Sequence, residues 1–163
     1  IEKNEGYTKV RTNSGLIPEK SIVIWPFSGY GHWPSRSPSA NWWNTIVNTL
    51  IDNNFMVFHC GWVDEPHLSN LEGYVRCVNL PFFEQIKISL ATKLAIGADS
   101  GSMWTLGAYS FPAIHLMTNW RNGHTQNFSA MNPVNINGTS FFAPPMTDGW
   151  LFEEVLNTVW DKT

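Results

Sequence analysis

The chain has 163 residues, 43% of them hydrophobic, with 10 basic and 13 acidic side chains for a formal charge of −3. That length makes one domain able to bury roughly two thirds of its unfolded surface. A weakly acidic chain without a Lys/Arg run or a nucleic-acid-binding signature makes nucleic acid a poor partner, and no apolar run reaches the roughly 18 residues of a membrane-spanning segment.

Residues 1–20 are polar and broken by Gly6, Gly15 and Pro18, which predicts a linker or irregular N-terminal arm ahead of a domain over 21–163. Ile1 opens no signal-peptide pattern, and the missing initiator methionine leads to the expectation of a chain excised from something longer or processed. Ser21 to Phe27 (SIVIWPF) is β-branched and aromatic and reads as the first buried strand, ended by Pro26, which has no N–H for a central ladder. The following SGYGHWPSRSPSA is a loop. With two glycines around Tyr30, several hydroxyls, His32 and Arg36, it can present N–H groups and cationic side chains to an anion, a plain surface loop being the alternative.

Ser39 or Asn41 then caps a helix through Asn53, whose Trp42, Trp43, Ile46, Val47, Leu50 and Ile51 recur at helical spacing. Phe55 to Gly61 is a second strand, in which His59 reads as a core or edge histidine. Glu65 and His67 in the connector after it are too isolated for a metal site. Val75 to Leu80 is a third strand. An amphipathic helix follows from Phe82 to Leu94, with Phe83, Ile86, Leu90 and Leu94 as its inward stripe. Cys60 and Cys77 both fall in apolar runs and read as buried free thiols in a reducing, cytoplasmic compartment.

The most informative stretch is KLAIGADSGSMWTLGAYSFPAIHLM, from Lys93 to Met117: strand 94–98, a polar turn, a helix from about Ser102 to Tyr109, and strand 113–117. Asp99 or Ser100 caps the helix, and Gly101 lets a ligand approach the main chain. A helix amino end at the carboxyl end of a strand suits a phosphate, and the alternative is a turn that is only well capped. Beyond it, Thr118 to Thr139 is a long polar loop with Arg121 and His124, and Asn127 and Asn137 carry chance N-x-S/T triplets. Asp148 is expected to cap a terminal helix with Leu151, Val155, Leu156 and Val159 inward. The whole is a doubly wound parallel α/β sheet of about five strands with helices on both faces, and its ligand edge is the carboxyl end of the strands. Neither G-x-G-x-x-G nor G-x-x-x-x-G-K-[ST] occurs, so dinucleotide and P-loop readings fall.

Five segments carry a resemblance: IVIWPFSG, SANWWNTIVNTL, FMVFHCG, VNLPFFEQIKISLATKLAIGADSG and WTLGAYSFPAIHLM. In this order they resemble the C-terminal, Rossmann-like half of a GT-B glycosyltransferase of the heptosyltransferase (ADP-heptose:lipopolysaccharide) family. The resemblance implies that Ser100, Gly101 and Ser102 cradle the diphosphate of a sugar nucleotide, with Asp99 holding the turn and Ser28 and Gly29 adding donors. Arg121 or His124 would assist the leaving group, and Trp104 or Trp120 would line the base or sugar unless they are simply core residues. Trp104 stands where the family has histidine. No metal or other cofactor is implied, the partner is a nucleotide-diphosphate sugar, and the acceptor domain would lie N-terminal to this chain. The competing expectation is a binding or interaction module that keeps the fold without the chemistry.

Overall fold

The computed structural model describes residues 2–4, 7–12, 15–27, 36–118, 135–144 and 146–163. Six strands form a parallel sheet: β4 (Ser21–Trp25), β5 (Met56–His59), β6 (Tyr74–Arg76), β7 (Leu94–Ala98), β8 (Ala113–Thr118) and β9 (Gly138–Ala143). Their spatial order is β6-β5-β4-β7-β8-β9, so the first strand of the sheet is central and the chain winds outward from it twice, which is the Rossmann order. Ile24 of β4 lies opposite His59 of β5 on one side and Ile96 of β7 on the other.

Alternation along β4 divides the core. Ile22 and Ile24 point to the face covered by α1 (Ala40–Asp52) and α4 (Phe152–Lys162), where Trp43, Ile46, Leu50, Val155 and Val159 are buried. Val23 and Trp25 point to the face covered by α2 (Phe82–Ala91) and α3 (Gly101–Ala108), with Ile86, Ile88, Met103 and Leu106. A strand with both faces covered reads as a continuous apolar run, and SIVIW and LAIGA are fully buried in that way. Buried tryptophans find carbonyls for their N–H groups. Trp43 donates to Pro26 O at 3.0 Å, which holds the chain where it leaves β4, and Trp42 donates to Trp150 O at 2.9 Å.

Several expectations change. Three segments of the N-terminal stretch, β1 (Glu2–Asn4), β2 (Tyr7–Thr12) and β3 (Gly15–Pro18), pair as an antiparallel sheet, where an irregular arm was expected. The parallel sheet has a sixth strand, β9, whose half-exposed Gly-Thr-Ser start hides an edge strand in polar sequence. Phe83 is 77% exposed, and the inner face of α2 carries Gln85 and Ser89 beside Ile86 and Ile88. Ser89 is inward because its Oγ accepts from Trp25 Nε1 at 3.0 Å. Asp148 caps nothing in α4. It accepts from Ser39 N at 2.8 Å and Ser39 Oγ at 2.6 Å, and ties down the start of α1, whose cap is Ser39. Within the expected 118–139 loop, residues 119–134 lie outside the described residues.

His115 of β8 is buried, with Nε2 3.1 Å from the Asn135 amide nitrogen, which also donates to Phe111 O at 2.9 Å. Burial pushes its pKa from 6.5 down to about 4. Between those values the unfolded chain binds a proton that the folded chain refuses, so stability falls as pH drops through that window and levels off below it. The shift corresponds to about 3 kcal/mol. Denaturant unfolding near pH 7 and near pH 4.5 checks this. The drop should shrink by a large part of that figure in His115→Asn, and an unchanged drop would assign it to other groups.

Candidate functional site

In a doubly wound sheet the ligand crevice lies beyond the carboxyl ends of the central strands, where the winding reverses. Here those strands are β4 and β7, ending at Trp25 and Ala98. Ser100, in extended conformation, is the cap of α3, and its Oγ accepts from Met103 N at 3.4 Å. The Gly101 and Ser102 amides come next, in the first turn, where the helix has no carbonyl for them and its dipole adds partial positive charge.

Two glycines here have different causes. A Cβ on Gly97 would sit 2.6 Å from Met103 Sδ and 2.9 Å from Trp25 O, so Gly97 is what lets α3 pack close to β7. A Cβ on Gly101 would meet no atom of another described element within 4 Å, so packing among the described residues does not demand glycine there.

Asp99 Oδ2 accepts from Arg36 Nη2 at 3.0 Å, and Oδ1 accepts from Trp104 Nε1 at 2.9 Å. The arginine follows β4 and the aspartate follows β7, so the pair spans the crevice. Both side chains stay partly open to solvent, 34% and 20% exposed.

A cavity of about 870 Å³ opens beside this pair. Its polar lining includes Arg36, Glu65, Gln85, Thr105 and residues 99–102, and its apolar lining includes Trp25, Trp62, Val63, Leu80 and Phe82. Among the described residues that line it, Arg36 is the only cation. The apolar side is held by buried polar groups. Gly61 N donates to Gln85 Oε1 at 2.7 Å, and Gln85 Nε2 donates back to Gly61 O at 3.2 Å and to Leu80 O at 2.9 Å. Gly61 has φ +151°, and a Cβ there would collide with the Glu65 carboxylate.

Glu65 is 2% exposed. Its Oε2 accepts from Trp62 N at 2.7 Å, and its Oε1 lies 2.9 Å from His59 Nε2. Burial lowers the His59 pKa, and Glu65 offsets only part of that. The ring is therefore neutral near pH 7. With its proton on Nε2 facing Glu65, Nδ1 accepts from the Tyr74 hydroxyl at 2.6 Å, and that hydroxyl oxygen accepts from Leu68 N at 3.2 Å. The result is an aromatic ring, Trp62, 66% exposed on a firmly hydrogen-bonded backbone.

Of the residues singled out in the sequence, Arg36, Asp99, Ser100, Gly101, Ser102 and Trp104 all line this cavity. Ser28, Gly29, His32, Arg121 and His124, with Trp120, lie outside the described residues. Asp99 was expected to hold the turn; its hydrogen bonds go to two side chains instead. Trp62, Phe82 and Gln85 were not anticipated. Only the position of Trp62, just past the carboxyl end of β5, pointed to it. No group of three or more His, Cys, Asp or Glu among the described residues is placed to hold a metal. A second cavity, of about 560 Å³, lies at the opposite, amino-terminal edge of the sheet, lined by Lys20, Phe55, Lys93 and Trp160.

No family model and no curated protein matches the chain in sequence. Solved structures match its fold. E. coli ADP-heptose LPS heptosyltransferase II aligns with a TM-score of 0.68 at 15% identity, over 88% of this chain and 46% of its own. The E. coli heptosyltransferase WaaC, solved with ADP, aligns with a TM-score of 0.66 at 10% identity, over 89% of this chain and 45% of its own. The fold is heptosyltransferase-like.

At such identities the likeness is one of architecture, and the chain spans less than half the length of either heptosyltransferase. The heptosyltransferase-like fold nonetheless bears out the resemblance read from the five sequence segments at the level of chain course.

Proposed function

We propose that this domain binds the nucleoside-diphosphate part of a sugar donor and supplies the donor half of a glycosyl transfer. The acceptor would be held by a domain outside this chain. One observation carries the reading: the amino end of α3 and the Arg36 guanidinium meet at the reversal point of the sheet, on the rim of a cavity whose other lining is largely aromatic and apolar. Phosphate oxygens suit the Gly101 and Ser102 amides, the helix dipole and a guanidinium fork. A base or sugar ring suits the exposed face of Trp62 and the half-buried Trp104.

Charge builds on the leaving diphosphate as the glycosidic bond to it breaks. Donors fixed before the reaction stabilise that charge without reorganising, and this is the contribution expected of residues 100–102 and Arg36. The general base would come with the acceptor side, so the domain alone should transfer no sugar. A cytoplasmic location goes with this reading, in which Cys60 and Cys77 are buried and not joined in a disulfide. No described helix is long and apolar enough to cross a membrane.

A second reading is a binding module without chemistry. Trp104 favours it, because an indole N–H donates to Asp99 and cannot exchange a proton as an imidazole would. Calorimetric titration with ADP, UDP and GDP tests binding. A saturable dissociation constant between micromolar and millimolar is expected for at least one, and a folded domain that binds none at millimolar concentration refutes the proposal.

A further inference from the structure

By simple electrostatics, a carboxylate beside an anion subsite is an obstacle. Asp99 stands next to the cap of α3, yet among the described residues its carboxylate accepts from side chains and not from the backbone of the turn. Its two oxygens take Arg36 Nη2 from across the crevice at 3.0 Å and Trp104 Nε1 from α3 at 2.9 Å. A guanidinium binds phosphate well only when its planar fork is aimed, and a carboxylate is the side chain that matches and fixes that fork. Arg36 sits on the chain after β4, and its cavity-lining guanidinium is still 34% exposed while paired. An arginine left to roam would have to be ordered at the moment of binding, at a cost in affinity.

We propose that Asp99 is a positioning residue that aims the Arg36 guanidinium, with Trp104 as its second anchor, at a diphosphate seated on the amino end of α3. This rests on the nucleotide-binding reading above, and it reverses the sign that charge alone predicts for removing Asp99.

The test is a double-mutant cycle on this chain, with Asp99→Ala, Arg36→Ala and the double variant titrated with ADP, UDP, GDP and inorganic pyrophosphate. Circular dichroism and denaturant unfolding check the fold of each. Asp99→Ala should weaken binding at least about tenfold when Arg36 is present. In the Arg36→Ala background it should weaken nothing further, and should tighten binding if repulsion is all that remains. If Asp99→Ala does not fold, Asp99→Asn carries the same test, since it keeps an acceptor for Trp104 and loses the charge that aims Arg36. Binding as tight as, or tighter than, the parent in Asp99→Ala overturns the positioning role, and so does an equal loss in both backgrounds. A parent chain that binds none of the four probes at millimolar concentration removes the nucleotide-binding reading itself, and the role of Asp99 falls with it.

Discussion

Gly101→Leu is expected to leave the fold intact and to remove most of the nucleotide binding. The two effects separate because space around Gly101 is open: apart from its chain neighbours and its own helix backbone, no atom of the described residues lies within 4 Å of the position a Cβ would take. Glycine in a helix costs roughly 0.5–1 kcal/mol relative to alanine, so the side chain should cost the fold nothing and could add slightly to its stability. The same open space is where phosphate oxygens would approach the Gly101 and Ser102 amides. A leucine there bars charge-assisted bonds worth about 2 kcal/mol or more, roughly thirtyfold in the dissociation constant. Ser100→Ala would be a poorer probe, because it also removes the cap of α3. Unfolding curves and calorimetry on Gly101→Leu check both halves. Undiminished binding would mean that the amino end of α3 is not the phosphate site.

Glu65→Ala should act in the opposite way, on stability first and on binding as a consequence. The carboxylate is buried and takes two donors, Trp62 N and His59 Nε2. Truncation leaves both unpaired, at a cost of about 3 kcal/mol, or a melting temperature lower by about 10 °C. It also frees the backbone that presents Trp62, so nucleotide affinity should fall even though Glu65 offers no oxygen to the ligand. Glu65→Gln should lie between, because its amide nitrogen would face a donor where an acceptor is needed. Thermal unfolding of the two variants checks the order. A Glu65→Ala protein as stable as the parent would show that the buried cluster does not hold the loop.

The sheet was legible where strands are covered on both faces, because burial leaves a run such as SIVIW or LAIGA with no polar alternative. It was illegible at its edges. β9 begins Gly-Thr-Ser and is half-exposed, and β1 to β3 lie in polar sequence broken by glycine and proline, so neither carries an apolar run to read. The Asp99-Ser100-Gly101 turn was legible because capping is local chemistry: Ser100 Oγ and Met103 N are three residues apart. The partner of Asp99 was not, since Arg36 is 63 residues away and only the winding of the sheet brings it near. Gln85 illustrates a different limit. A polar side chain on an apolar helix face looks like a flaw in the pattern, and its purpose appears only when the Gly61 peptide is seen against it, donating and accepting in turn.

The central claim is that one nucleotide site exists and lies at the carboxyl edge of the sheet. Titration of the isotopically labelled domain with ADP, UDP and GDP, followed by two-dimensional nitrogen–proton NMR, locates that site directly. The Gly101 and Ser102 amides and the Trp62 and Trp104 indoles are expected to shift together and saturate with one of the three. Saturable shifts confined to the opposite cavity, where Lys20 and Lys93 supply the charge, would contradict the claim, as would no shift at the Asp99 turn at millimolar nucleotide.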